Sequence, residues 1–273
     1  MSLAVPLLDK AEVRARVRGR ESLFVYELGD LDDYFFPRCR YFGHARDTTA
    51  LALIYDGATP TTLLVNDLAG GRVPLVELVA ALAPSLPDRV YAHLAPGLVP
   101  ALADHYDVEP HGAHIKLARP AGDPLPSIAM ARDCIAITPA DEPSVLEFYR
   151  EAYPGTWFSP HMLATGLYYG LREGPAEGSA WRAIAGVHVV SRAERVAALG
   201  NVATHPTARG RGLARAVCAR VLEALAPHTD YVGLNVASDN EAALACYRSL
   251  GFQAVARYDE VLLTRRSSKE GSS

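Results

Sequence analysis

Residues 201–214 read Asn-Val-Ala-Thr-His-Pro-Thr-Ala-Arg-Gly-Arg-Gly-Leu-Ala, and this stretch constrains the fold more than any other. The apolar run from Val196 to Thr204 predicts a strand. A loop with Gly210 and Gly212 follows. A helix is predicted over Leu213–Leu225, with Leu213, Val217, Val221 and Leu225 on one face. The first N–H groups of a helix have no partner inside it, and they lie at the positive end of its dipole. Glycine lets a ligand touch the backbone with no Cβ in the way. The loop therefore suits an anion, above all a phosphate or pyrophosphate.

The surrounding pattern divides the chain in two. Between Arg119 and Ser127, three prolines and a glycine forbid both a continuing helix and a central strand. We expect a first domain over 1–122, a linker over 123–132 and a second domain over 133–266. In the second half, strands are predicted at Asp133–Thr138, Leu167–Arg172, Ala180–Val190, Val196–Thr204, Tyr231–Val236 and Glu260–Thr264. Helices are predicted at Asp141–Ala152, from Ser159-Pro160, at Leu213–Leu225 and after the capping-box pattern Ser238-x-x-Glu241, ending at Gly251.

The first half carries a similar order. Strands are predicted at Leu23–Glu27, Thr49–Asp56, Thr62–Asn66, Val90–Leu94 and Ile115–Ala118, with helices at Val73–Ala83 and Leu98–Tyr106. The phrases Ala81-Leu82-Ala83-Pro84 and Ala224-Leu225-Ala226-Pro227 hold matching places, which points to an internal repeat. Where the second half has its glycine loop, the first has Leu68-Ala69-Gly70-Gly71-Arg72. The first copy lacks the phosphate loop.

Bulk properties exclude several classes. With 27 Lys and Arg against 31 Asp and Glu, the net charge of −4 gives no basic face for nucleic acid. Cys39, Cys134, Cys218 and Cys246 are far apart without a Cys-x-x-Cys, and read as reduced thiols. No basic segment followed by an apolar run marks a secretory signal, and no stretch approaches the ~20 apolar residues of a membrane span. We expect a cytoplasmic protein. His111-x-x-His114 is half of a metal pattern with no third ligand, so no metal is expected.

Three motifs compete for the glycine loop. A P-loop needs a lysine that is absent here. A dinucleotide fingerprint needs a third glycine, and that place holds Arg215. Arg209-Gly210-Arg211-Gly212-Leu213-Ala214, however, resembles the Arg/Gln-x-x-Gly-x-Gly/Ala loop of the GNAT superfamily of N-acetyltransferases. Asn240-x-x-Ala243-x-x-x-Tyr247, then Gly251-Phe252, resembles the second motif of that superfamily. The phrases Gly186-Val187-His188 and Gly200–Pro206 are most similar to its glycine N-acyltransferase-like branch. The resemblance covers about 133–264, and extends to the first half by element order alone. It implies a mixed α/β fold of two tandem GNAT-like domains, each a mostly antiparallel sheet flanked by helices, the first of them degenerate.

The resemblance also implies roles. Acetyl-CoA is the donor, and no metal is needed. Its pyrophosphate lies on the N–H groups of Arg209, Gly210, Arg211, Gly212, Leu213 and Ala214, and the two arginines add charge. Val202, Ala203 and Thr204 offer backbone to the pantetheine, with the Val202 N–H stabilising the oxyanion. Asn235 contributes from the next strand. Asn240, Ala243 and Tyr247 share a helix face toward the coenzyme. Tyr247 protonates the departing thiolate; tyrosine ionises near pH ~10 and a thiol near ~8.5. His188 is the best candidate base, with an ordinary pKa of about 6.5. His205, before Pro206, is read as a shape residue. Tyr153, Trp157, Phe158 and Tyr168 mark the region where an acceptor enters.

The function expected is transfer of an acetyl or small acyl group to a primary amine, by direct attack in a ternary complex. The acceptor is a small molecule or peptide, with no nucleic-acid or membrane partner, and the protein is a monomer or homodimer. The alternative is a non-catalytic acyl-CoA-binding or regulatory protein.

Overall fold

The computed structural model describes residues 2–67, 71–174 and 180–267. The chain begins with β1 (Ala4–Leu7), α1 (Lys10–Val17) and α2 (Val25–Gly29), then β2 (Cys39–His44), β3 (Leu51–Tyr55) and β4 (Thr61–Val65). It continues through α3 (Val73–Leu82), β5 (Arg89–Leu94) and β6 (Tyr106–Pro120). Then come β7 (Ile135–Ala136), α4 (Glu142–Ala152), β8 (Tyr169–Arg172), β9 (Trp181–Ser191) and β10 (Val196–Thr204). The last elements are α5 (Leu213–Leu225), β11 (Tyr231–Ala237), α6 (Glu241–Ser249) and β12 (Gln253–Arg265). No helix among the described residues is long and apolar enough to cross a membrane.

Two compact units emerge, and they do not follow the linear halves of the chain. The first holds residues 1–117, 235–239 and 254–273; the second holds 118–234 and 240–253. The last strand explains the difference from a boundary at 123–132. Expected in the second domain, β12 instead pairs antiparallel with β5, from Asp259 opposite Leu94 to Thr264 opposite Arg89. Its Val261 and Leu263 are buried in the core that α3 covers with Leu75, Leu78, Val79 and Leu82. Each such fully buried aliphatic side chain contributes about 1.5–3 kcal/mol.

In the first unit the sheet order begins β1-β2-β3-β4-β5-β12. The first four strands are antiparallel, and β4 lies parallel to β5. In the second unit the order is β11-β10-β9-β8-β7, antiparallel but for the parallel pair β10–β11. Each unit thus carries a strand–helix–parallel-strand crossover: β4–α3–β5 in one and β10–α5–β11 in the other. The repeat read from the sequence is present in the backbone.

Some local expectations fail for identifiable reasons. Leu23–Glu27 leads through a turn into the short helix α2 rather than forming a strand. Leu23, Phe24, Val25 and Leu28 are all buried, so the run shows no alternation, and a short apolar run fits either element. The helices expected at Leu98–Tyr106 and after Ser159 are short 3-10 segments, Val99–Leu102 and Pro160–Thr165, each with proline in its first turn. β1, α1 and β2 add elements that the hydrophobic pattern does not signal.

Candidate functional site

The two parallel pairs differ at their C-terminal ends. In the first unit, β4 and β5 pair over five positions, Thr61–Val65 with Val90–Leu94, and the Ala95 N–H continues the ladder to the Val65 carbonyl at 2.7 Å. In the second unit, β10 and β11 pair only at Val196–Tyr231, Ala197–Val232 and Ala198–Gly233. Strand β10 nevertheless runs on to Thr204. Beyond Ala198, among the described residues, its edge toward β11 is without strand pairing.

Two bulges shape the same stretch on its other edge. Ala198 faces Val189 and Leu199 faces Val187, so His188 is an extra residue on β9. Gly200 faces Gly186 and Ala203 faces Ile184, which leaves one extra residue on β10 within Asn201–Val202. A bulge bends its strand and re-aims the residues it contains. Asn201 takes φ +54°, in the left-handed region that asparagine tolerates better than most residues. Its carbonyl accepts the Tyr149 hydroxyl at 2.7 Å, and its side-chain Oδ1 meets His188 Nε2.

The glycine loop follows directly. His205 caps the 3-10 turn Pro206–Ala208, accepting from the Thr207 N–H, and its Nε2 lies 3.3 Å from Glu151. This is the shape role expected of it. Gly210 and Gly212 have φ +75° and +76°, and Gly212 occupies the N-cap of α5 with no side-chain cap. Arg209, Gly210, Arg211 and Gly212 are exposed, Leu213 is buried and Ala214 lies at the rim. Neither Arg209 nor Arg211 makes an ion pair among the described residues. The result is an exposed, glycine-containing turn beside a helix start, a setting that attracts anions. Buried Ala216, Val217, Val221 and Leu222 hold α5 against β8, β9 and β10.

Helix α6 packs on α5 and carries the second motif. Its N-cap is Asn240, whose Oδ1 accepts from the Ala243 N–H at 3.1 Å. The expected capping box at Ser238 is therefore displaced by two residues, and the Asn240 side chain serves the helix. Tyr247 is 8% exposed, and its ring meets Phe252 edge-on at 5.9 Å. The helix closes with Gly251 at φ +87°, the Gly251 N–H on the Arg248 carbonyl and the Phe252 N–H on that of Tyr247. That is a Schellman closure with its apolar contact. It explains why Tyr247 and Gly251-Phe252 occur together: the cap fixes the tyrosine. Asn235, in β11, belongs to the 235–239 segment of the first unit.

The remaining candidates separate by exposure. Tyr168 is fully buried, with its hydroxyl on the Val187 carbonyl at 3.1 Å, so it is core. Trp157 and Tyr153 are 43% and 48% exposed, and Trp157 meets the His188 ring edge-on at 5.7 Å. Burial lowers the pKa of His188 below its ordinary value, and the Asn201 contact works against that shift. That shift favours the neutral form of the imidazole. His111 and His114 lie beside different carboxylates, Glu109 at 3.6 Å and Glu260 at 3.4 Å. Sequence reasoning passed over Tyr149 and the bulge role of Asn201. The pair Gly200-Asn201 inside a strand was the available signal, because glycine within a strand often marks a bulge.

Comparison with known proteins bears on the fold and on the family. Residues 142–252 match the acetyltransferase (GNAT) family. A mycothiol acetyltransferase from Tsukamurella paurometabola is 29% identical over 234 residues, covering 84% of this chain and 76% of that protein. A Drosophila protein shares the fold at TM-score 0.68 with 11% identity, over 97% of this chain and 99% of that one. A tandem GNAT protein of the clavulanic acid biosynthesis pathway does so at TM-score 0.51 with 16% identity, over 98% and 99%. The fold is that of two GNAT-like domains, and the family match falls within residues 142–252.

Proposed function

We propose that this protein transfers an acetyl or small acyl group from acyl-CoA to a primary amine, with one coenzyme site, in the second unit. The observation that carries the proposal is the early end of β10–β11 pairing at Ala198–Gly233, followed by the exposed Gly210–Gly212 turn. An unpaired strand edge beside a helix N-terminus offers peptide groups to the pantetheine amides and N–H groups to the pyrophosphate. The zipped β4–β5 pair offers no such slot. At the start of α3, Arg72 is engaged by Asp67 and Asp47, so the first unit supplies its own anions there. Leu68, Ala69 and Gly70 of that segment lie outside the described residues. We read the first unit as a degenerate copy, and the likeness of Gly186-Val187-His188 and Gly200–Pro206 supports the glycine N-acyltransferase-like branch.

In this reading the coenzyme rests on Val202, Ala203 and Thr204 and on the backbone from Arg209 to Ala214, with Asn240 and Ala243 at its side. Arg209 and Arg211 supply positive charge at the phosphates. Asn235, at the end of β11, is carried as a coenzyme contact by the family resemblance alone. The neutral amine nitrogen attacks the thioester carbonyl carbon. The Val202 N–H stabilises the oxygen that becomes negative. The proton released from nitrogen goes to His188, the carbon–sulfur bond breaks, and the thiolate takes the proton of the Tyr247 hydroxyl. Solvent then takes the His188 proton and returns one to Tyr247. The acceptor is a small-molecule or peptide amine, reached past Trp157. The protein acts in the cytoplasm, as a monomer or homodimer.

Incubation with acetyl-CoA and a panel of amines, followed by thiol release, tests the proposal. Amine-dependent release is expected. Tight CoA binding without release would leave a binding protein, and no CoA binding at all would remove the site.

A further inference from the structure

We propose that Asn201 is a positioning residue that fixes which nitrogen of His188 accepts the proton; this rests on the reading of His188 as the base. Three observations lead there. His188 is the extra residue of the β9 bulge, and Asn201 lies in the β10 bulge that follows two residues beyond Leu199, so the two bulges bring the side chains together. The imidazole lies across Gly200: a Cβ there would come within 2.3 Å of His188 Cγ. With Trp157 edge-on at 5.7 Å, the ring is confined by Gly200, Trp157 and Asn201.

Asn201 is itself held. It is 3% exposed, its carbonyl accepts the Tyr149 hydroxyl, and its backbone sits in the left-handed region. Its amide oxygen meets His188 Nε2. A neutral imidazole carries one proton, and a carbonyl oxygen at Nε2 holds the proton there. The lone pair is then on Nδ1, which has no hydrogen-bond partner among the described residues. An amide does for this histidine what a carboxylate does elsewhere, but without a charge to raise its pKa. The titratable groups around this corner are Tyr149 and Tyr168, both pushed up by burial and uncharged.

The same backbone leads into Val202, so Asn201 joins the proton acceptor to the oxyanion contact through one residue. A merely structural asparagine would affect stability; a positioning residue must also alter the ring's tautomer and the pH profile.

The test uses the full chain. Long-range proton–nitrogen NMR of the imidazole is expected to show His188 protonated at Nε2, and a mixture of tautomers in Asn201→Gly. That variant keeps a backbone at ease with positive φ and removes only the side chain. Its kcat is expected to fall about tenfold or more with an unchanged KM for acetyl-CoA. Asn201→Asp keeps the acceptor oxygen and adds a charge, so the acid limb of kcat/KM is expected to move up by about one pH unit or more. An Nδ1-protonated ring in the wild type, or an acid limb unmoved in Asn201→Asp, overturns the inference while leaving the base reading intact. Wild-type turnover in His188→Gln removes the base reading itself, and with it the catalytic role of Asn201.

Discussion

Replacing Gly210 or Gly212 by alanine isolates the conformational demand of the proposed coenzyme turn from its size. Both residues sit at positive φ, +75° and +76°. Space is not the obstacle: a Cβ on Gly210 meets nothing within 4 Å, and one on Gly212 meets only Met130 Cε at 3.6 Å. The cost is therefore that of holding an L-residue in the left-handed region, about 1–2 kcal/mol. Reduced freedom of the unfolded chain offsets about 0.4–1 kcal/mol of it in the stability balance. An exposed turn can relax to negative φ when empty, and must then be driven back when the pyrophosphate binds. In that case the whole 1–2 kcal/mol falls on affinity, which is about 5- to 30-fold in the Kd for CoA. Titration calorimetry with CoA measures this directly. Gly97→Ala is the control, because Gly97 has φ +89° and equally open space but belongs to the first unit. That variant is expected to lose a few degrees of Tm and no CoA affinity. Equal CoA affinity in wild type, Gly210→Ala and Gly212→Ala would refute the assignment of this turn to the pyrophosphate.

Other outcomes follow from the same geometry. Tyr247→Phe keeps the Phe252 contact and the helix cap while removing the hydroxyl; kcat is expected to fall about 10²-fold with little change in the Kd for CoA, read by steady-state kinetics and calorimetry. Asn240→Ala removes the N-cap of α6 and is expected to cost about 1 kcal/mol in denaturant unfolding; an unchanged midpoint would mean that the cap carries no stability. His188 has a folded pKa below its unfolded value of about 6.5, so the unfolded chain binds the proton first as pH falls. Stability is therefore expected to drop on going below about pH 6.5, and His188→Gln to flatten that slope in a Tm series from pH 5 to 8. Equilibrium dialysis is expected to find one CoA per chain, because β4 and β5 are zipped where β10 and β11 part; two per chain would show that the first unit opens.

The backbone of the candidate site was legible where it makes conformational demands. Gly210, Gly212 and Gly251 all take positive φ, which favours glycine and so marks these positions in the sequence. The Tyr247, Gly251 and Phe252 pattern was legible for a related reason: one closing turn uses all three. What escaped was set by contacts distant in sequence. Nothing local tells that β12 joins β5, because Gln253–Arg265 has the alternation of a strand but no mark of its partner. Nothing local tells that Asn240 rather than Ser238 caps α6, because both are good capping residues and the strand before them decides where the helix begins. The apolar run at Leu23–Leu28 was ambiguous because it is buried on every side.

The contrast between the two parallel pairs carries the argument about function further than either motif does alone. Both crossovers have a strand, a helix and a second strand, so the topology by itself cannot distinguish an active copy from an idle one. The distinction lies in the last residues of the first strand of each crossover. In β4 those residues, Leu63, Leu64 and Val65, are apolar and buried, and extending the ladder to Ala95 satisfies their backbone. In β10 the corresponding run contains Gly200-Asn201, which cannot continue a regular ladder once Asn201 takes φ +54°. A strand that leaves its neighbour must have its polar backbone groups met by something else, since unpaired buried groups each cost about 1–3 kcal/mol. The Tyr149 hydroxyl meets part of that need at the Asn201 carbonyl. The proposed pantetheine meets the rest. The bulge that opens the slot is thus the same feature that orients His188, and loss of Asn201 should weaken the coenzyme slot only if its backbone, rather than its side chain, is what changes.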